Sequence, residues 1–427
     1  MHQEIIERFN SLKEKQLSID ITRGKPDKDQ LDLSNELIDM PIPFISEDGA
    51  DLRNYGEQFG IIEARRLGSE LLSAPIENIL AGEQSSLLLT YQTVLSNYLF
   101  AEPTPWKNLE NPKMICPVPG FDRHFMMLED FGIEAVPIPL VEDGVDLNAL
   151  EETLKKDGNF VGILCVPKHS NPSGEIYSDS NLSKMFEIGS KYSNKFLFLF
   201  DHAYLIHDFL PTPEQKPLWQ VVEESKVQNQ TVVTTSFSKV TFGGGGISFM
   251  ATSGDSLELI KKVRTTMIIC PDKLNQKRHV EFFKNIENVK LHMEKHAALV
   301  RPKFELAYDY LEKLSNDCGT FSRPTGGYFI TYSTSKPIAS LVVKLCSDLG
   351  VLITPAGSTF PKNYDPNDSV IRLAPTFVTK DELADAMNVF ITAVFVVAHW
   401  HSSTLLLVIS SYYYSYMYYN KLLLRTW

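Results

Sequence analysis

At 427 residues the chain is too long for one simple core, and one large plus one smaller domain is the natural division. Its 43% hydrophobic and 22% charged residues are those of an ordinary globular protein, and the net charge of −12 argues against a nucleic-acid partner, which needs a concentrated basic surface. A local cationic pocket for an acidic substrate is still compatible with that charge.

The opening Met1-His2-Gln3-Glu4 has no apolar stretch behind a basic end, so no signal peptide is read and a cytoplasmic location is expected. Residues 3–15 then place Ile5, Ile6, Phe9 and Leu12 on one helical stripe. Ile21 to Pro26 reads as a loop. A helix is predicted over Ile61 to Leu72, and the small-residue turn Ala81-Gly82-Glu83-Gln84-Ser85-Ser86 should open a second one near Leu87. Short apolar runs follow at 114–118, 134–140, 161–166, 196–200, 231–235 and 247–251, with helical or irregular stretches between most of them. That alternation predicts an α/β fold, a mainly parallel sheet covered by helices on both faces. Cys116, Cys165, Cys270, Cys318 and Cys346 show no paired spacing and suit a reducing compartment.

Ligands of such sheets gather at the carboxyl ends of the strands, and the residues expected there have a chemical theme. Asn171-Pro172-Ser173-Gly174 follows one apolar run, Asp201-His202-Ala203-Tyr204 another, and Ser236-Phe237-Ser238-Lys239 a third. Each alone is a turn, a helix cap or a stray lysine. Together they are what a protein needs to hold pyridoxal phosphate (PLP). Lys239 supplies an amine for a Schiff base with the cofactor aldehyde, Asp201 a carboxylate that keeps the pyridine nitrogen protonated, and Asn171 and Tyr204 donors for the ring phenolate.

The phosphate has candidates in the same frame. Gly82 to Ser86 offers free backbone N–H groups at a helix start, with Ser85 and Ser86 as hydroxyl donors, although a simple N-cap explains the segment as well. Ser236 and Ser238 are further candidates. The glycines Gly243 to Gly246 are no nucleotide loop, because no Gly-Lys-Ser/Thr follows them. Phe121 after Val118 can stack on a flat ring or fill the core. Arg372, in Ile371-Arg372-Leu373, is a guanidinium in an apolar segment and should face an anion, either a substrate α-carboxylate or a structural ion-pair partner. No metal is expected.

These segments resemble the class I, fold-type I PLP-dependent aminotransferases, and most of all the aspartate aminotransferase-like subgroup sometimes labelled type Ic. The likeness rests on Thr22-Arg23-Gly24-Lys25-Pro26, Asn54-Tyr55-Gly56, Gly82 to Leu87, Pro119 to Phe125, Val166 to Glu175, Asp201 to Tyr204, Ser236 to Ser248, Gly326-Gly327-Tyr328-Phe329, Thr354 to Gly357 and Ile371 to Thr376. It implies a large PLP-binding domain over 46–290 with a mainly parallel seven-stranded sheet, and a smaller α+β domain from 1–45 and 291–390. It also implies Lys239 as Schiff-base lysine and proton shuttle, Asp201, Asn171 and Tyr204 at the ring, Phe121 over it, and Arg372, Gly24 and Asn171 at the substrate. Tyr55 is implied to reach the cofactor phosphate of a second subunit, hence a homodimer with shared active sites.

The implied activity is transamination between an amino acid, aspartate or glutamate first, and a 2-oxo acid by a ping-pong mechanism. Aromatic or other amino acids are the alternative substrates, and a non-catalytic PLP-binding protein is the alternative from another class. Arg23, Lys273 and Arg278 are unranked candidates for a distal carboxylate. Three departures from the family pattern stand out. Ile247 occupies the position eight residues after Lys239 where a phosphate-binding arginine is usual. Glu83 places a carboxylate in the expected phosphate loop, which is repulsive unless it is paired. The segment 391–427 is apolar and tyrosine-rich, with six tyrosines between Tyr412 and Tyr419, and is expected to be an atypical tail, marginal as a membrane span.

Overall fold

The computed structural model describes residues 2–156 and 158–399. Its main sheet has eight strands: β1 (Ile79–Ala81), β2 (Pro112–Val118), β3 (Glu134–Val141), β4 (Gly144–Val145), β5 (Asn159–Cys165), β6 (Leu197–Asp201), β7 (Thr231–Ser236) and β8 (Ser248–Thr252). They lie in the order β1-β8-β7-β6-β5-β2-β3-β4. The run β7-β6-β5-β2-β3 is parallel throughout, whereas β8, β1 and β4 pair antiparallel at the margins. The expected sheet of seven strands gains an eighth in the two-residue β4, which folds back on β3 as a short hairpin.

The sequence explains this layout. The strand β6 reads Leu-Phe-Leu-Phe-Asp and is buried along its whole length, the pattern of a central strand covered on both faces. Aliphatic and aromatic side chains pack on the two faces in separate clusters, one around Ile115, Phe198 and Phe249 and the other around Met114, Leu199 and Met250. Neighbouring residues of one strand thus feed opposite cores.

A third cluster forms a second body. It joins Leu12 of the N-terminal helix His2–Glu14, Phe304 of the long helix Ile286–Leu311, Tyr332 and Ile371 of an antiparallel sheet, and Phe390 of the helix Lys380–Ala398. Ile5 and Phe9 pack beside Leu12 as the helical stripe requires, while the Ile6 side chain lies outside the described residues. The boundary expected at residue 390 falls inside the last helix. Ile391, Val394 and Val397 are buried there in the small-domain core, so their apolarity serves packing. The remainder of the atypical segment, 400–427, lies outside the described residues. Among the described residues no helix is long and apolar enough to cross a membrane.

Candidate active site

Four adjacent parallel strands, β7, β6, β5 and β2, end on the same edge of the sheet. The chain leaves β2 toward β3 on one side and runs from β5 through β6 to β7 on the other, which opens a crevice where the order reverses. Lys239, Asp201, Asn171 and Phe121 follow β7, β6, β5 and β2 respectively, so the topology gathers residues up to 118 positions apart on one rim.

Asp201 is 2% exposed. Its Oδ2 lies 3.1 Å from His124 Nε2, while its Oδ1 is buried with no hydrogen-bond partner. Burial alone would raise the carboxyl pKa, but the hydrogen bond and electrostatic pull of His124, with smaller help from Ser86 and Lys239, hold it below the usual range. An ionised carboxylate with one free buried oxygen is costly unless a cationic N–H fills the gap.

Lys239 stands with Nζ 4.9 Å from the centre of the Tyr204 ring. Burial lowers its pKa, opposed by Asp201, which favours the free amine that nucleophilic chemistry needs. Tyr204 is itself buried and packs near Tyr328 and Phe329, with ring centres 6.0 and 6.4 Å away. Phe121 is half-buried and meets His124 edge-on at 5.0 Å.

Arg372 lies on the small-domain strand Val370–Leu373 and is 5% exposed. Its bonds are long: Nε to Thr354 Oγ1 at 3.2 Å, and the two terminal nitrogens to Asn171 Oδ1 and the Thr22 carbonyl at 3.3 Å each. Asp122 Oδ1 stays 3.8 Å away. Burial lowers the guanidinium pKa, Asp122 and Tyr204 raise it, and Arg23 lowers it further. The result is a buried cation with loosely held donors. Gly24 is required beside it, because a Cβ there would come within 2.6 Å of the Phe329 ring.

The phosphate candidates surround the start of the helix Ser86–Phe100. Ser85 caps it by accepting from Leu88 N at 3.3 Å. Ser238 Oγ donates to the Gln84 carbonyl at 2.6 Å and lies 3.1 Å from Ser236 Oγ. Glu83, expected to be repulsive unless paired, is paired: Arg264 of the helix Gly254–Met267 holds Oε1 at 3.0 Å and Oε2 at 3.2 Å. Arg264 also donates to Gln92 Oε1 at 2.8 Å and to the Gln58 carbonyl. Ile247 is buried in the core. Tyr55 is 75% exposed, with its carbonyl held by Lys273 Nζ at 3.3 Å.

The comparisons with known proteins give the family. The family model described as aspartate amino-transferase matches residues 1–403. The chain belongs to that family. It is 36% identical to an aspartate aminotransferase of Corynebacterium glutamicum over 408 residues, 94% of either chain. Among solved structures, an aspartate transaminase of the same species superposes with a TM-score of 0.89, 36% identity and coverage of 94% of this chain and 96% of that one. A Corynebacterium diphtheriae chain assigned to the aminotransferases gives the same TM-score at 37% identity, covering 93% of this chain and 99% of the other. The protein is therefore an aminotransferase, an enzyme of the fold-type I class, a family that uses PLP.

Sequence reasoning missed two groups in this aminotransferase. His124 follows Phe121 by three residues at the start of the helix Asp122–Asp130, so it returns to the site after almost one turn. That spacing was a usable signal. Arg264 sits 25 residues beyond Lys239 on a helix with many charges, and nothing local distinguishes it from a surface cation.

Proposed function

We propose that this aminotransferase binds PLP through Lys239 and moves an amino group between an amino acid and a 2-oxo acid in two half-reactions, with aspartate or glutamate as preferred donors. The observation that carries the reading is the unpartnered, buried Oδ1 of the ionised Asp201, which a protonated ring nitrogen would satisfy. The donor set fits the group. Bound there, the cofactor supplies the electron sink that makes the substrate Cα–H acidic.

The chain's own residues do the rest. Lys239, its amine favoured by burial, removes the Cα proton and returns it one position along. Asn171 and Tyr204 donate to the ring phenolate, and Phe121 covers one ring face. The helix start with Ser85, Ser86, Ser236 and Ser238 takes the phosphate, with Glu83 neutralised by Arg264. Arg372 and Asn171 grip the α-carboxylate beside the close approach at Gly24. Of the cations considered for the distal carboxylate, Arg23 is exposed and its charge lowers the Arg372 pKa, which supports it as the candidate. Exposed Tyr55, whose carbonyl is held by Lys273, suits a second copy of the chain that completes each site, as do the exposed side chains of Met267 and Ile269.

The test is an absorbance spectrum of the purified protein with PLP, before and after aspartate, repeated for Lys239→Ala. A visible band that aspartate bleaches in the wild type is expected, with bleaching slowed by roughly 10²–10⁴-fold or lost in the variant, the range for removing a proton-transfer group. A band indifferent to aspartate, glutamate and aromatic amino acids alike would overturn the reading.

A further inference from the structure

The turn that carries Lys239 is loosely built. After β7 it is pinned by bonds from Val240 N and Thr241 N to the Phe237 carbonyl, and then it enters four glycines, of which Gly244 has open space on its Cβ side and Gly243 and Gly245 would make only ordinary contacts there. Asn275 holds the far end through the Gly245 and Gly246 carbonyls at 2.9 and 3.0 Å. The carbonyls of Lys239 and Val240 find their partners far along the chain. Tyr328 Oη donates to the Lys239 carbonyl at 3.4 Å, and His292 Nε2 lies 2.9 Å from the Val240 carbonyl.

The hydrogen positions in this network can be deduced. Gln30 closes a capping box with Asp27, in which its Oε1 accepts from Asp27 N at 3.2 Å. Its amide N–H₂ must therefore face inward, where it meets Tyr328 Oη at 2.9 Å and His296 Nδ1 at 3.1 Å. Since Gln30 donates, His296 Nδ1 accepts, and a neutral His296 carries its proton on Nε2. That Nε2 is 3.2 Å from His292 Nε2, and the His296 ring also feels the Val240 carbonyl. A carbonyl only accepts, so His292 likewise presents an N–H. The His292 N–H thus donates to the Val240 carbonyl, and the Gln30 amide orientation fixes the His296 tautomer. Gln30, His292, His296 and Tyr328 are all buried, 5% exposed or less.

We propose that Gln30, His292, His296 and Tyr328 are positioning residues, a polar clamp that reaches the Lys239 and Val240 carbonyls and fixes where the Lys239 amine stands. The clamp deepens the aminotransferase reading and rests on it for its catalytic consequence, though not for its existence. Burial holds His296 at about 4, so the neutral form that the deduced pattern requires is the one present at neutral pH. Of the other polar groups nearby, Ser34 Oγ lies 3.3 Å from His292 Nε2, farther than the Val240 carbonyl, and Asp27 is engaged by Lys303 at 2.5 Å.

The test compares His296→Leu with His296→Gln, which keeps one donor and one acceptor, and adds Tyr328→Phe in case the leucine variant folds poorly. In the cofactor-free protein, amide hydrogen exchange over 237–246 should rise about tenfold or more in His296→Leu and Tyr328→Phe, stay near wild type in His296→Gln, and be unchanged over β6 in all three. In the PLP-loaded enzyme kcat should fall roughly ten- to hundredfold with KM within about twofold, because the reacting amine is misplaced while Arg372 is untouched. Unchanged exchange at 237–246, a rise spread evenly over the chain, or a glutamine variant as impaired as the leucine one would overturn the clamp. A wild-type protein without turnover would overturn the aminotransferase reading alone, since the exchange pattern is read without cofactor.

Discussion

Arg264 and Arg372 are both buried guanidiniums, and neither can escape the cost of burial by losing its proton at ordinary pH. Their surroundings differ. Arg264 is saturated by Glu83, Gln92 and the Gln58 carbonyl, with four of its five contacts at 3.2 Å or less. Arg372 has three bonds of 3.2–3.3 Å and a carboxylate held off at 3.8 Å. A buried cation with complete, short bonding is part of the scaffold, and one with incomplete bonding is prepared for an anion that arrives later. In the proposed function the difference separates the two ends of the site: Arg264 would secure the loop proposed for the phosphate, and Arg372 would be the group left for a carboxylate.

The largest test of that contrast is Arg264→Leu. It strands Glu83 without its partner and should cost about 3–5 kcal/mol of stability, read as a drop in the urea midpoint, by the usual effect of breaking a buried pair. Substrate KM should change little once PLP is saturating. Arg372→Lys should do the reverse: kcat/KM for the amino acid falls by roughly ten- to hundredfold, the loss of about 1.5–3 kcal/mol of charged hydrogen bonding, while the unfolding midpoint barely moves. Equal losses of stability in the two variants would break the comparison.

Histidines sharpen it from the other side, because they can shed the charge that arginines must keep. Burial lowers His202 to about 3 and His279 and His296 to about 4. In the unfolded chain these rings take up protons near the ordinary 6.5, so between pH 6.5 and 4 the unfolded state binds more protons. Stability is therefore complete above about pH 6.5 and lost progressively below it. A melting temperature lower at pH 5 than at pH 7 is expected, with a shallower dependence in His296→Gln; a flat profile over that window would contradict the assigned neutral histidines.

Much of the fold was legible before any coordinates. The predicted run at 196–200 became Leu197–Asp201, the run at 231–235 became Thr231–Ser236, and the helix read from Ile61 to Leu72 became Ile62–Leu72. Such runs are legible because a central parallel strand has to be apolar on both faces. The apolar stretch after 390 misled the domain boundary for a related reason: a core helix buried nearly all round has the composition of a membrane candidate. Within the site, Lys239, Asp201, Asn171 and Arg372 announced themselves as polar residues at the ends of, or inside, apolar segments.

The sequence by itself determined the order of strands and helices, the residue types at the strand ends, and through them the chemistry of an amine, a carboxylate and a guanidinium. Periodicity and local composition carry that information along the chain. Only the tertiary structure decided that Glu83 is matched by Arg264, that His124 rather than solvent meets Asp201, and that Tyr328 and His292 reach the carbonyls of Lys239 and Val240. Those partners are separated by 52 to 181 residues. Their hydrogen bonds depend on where whole elements come to rest, and no local pattern along a chain records that.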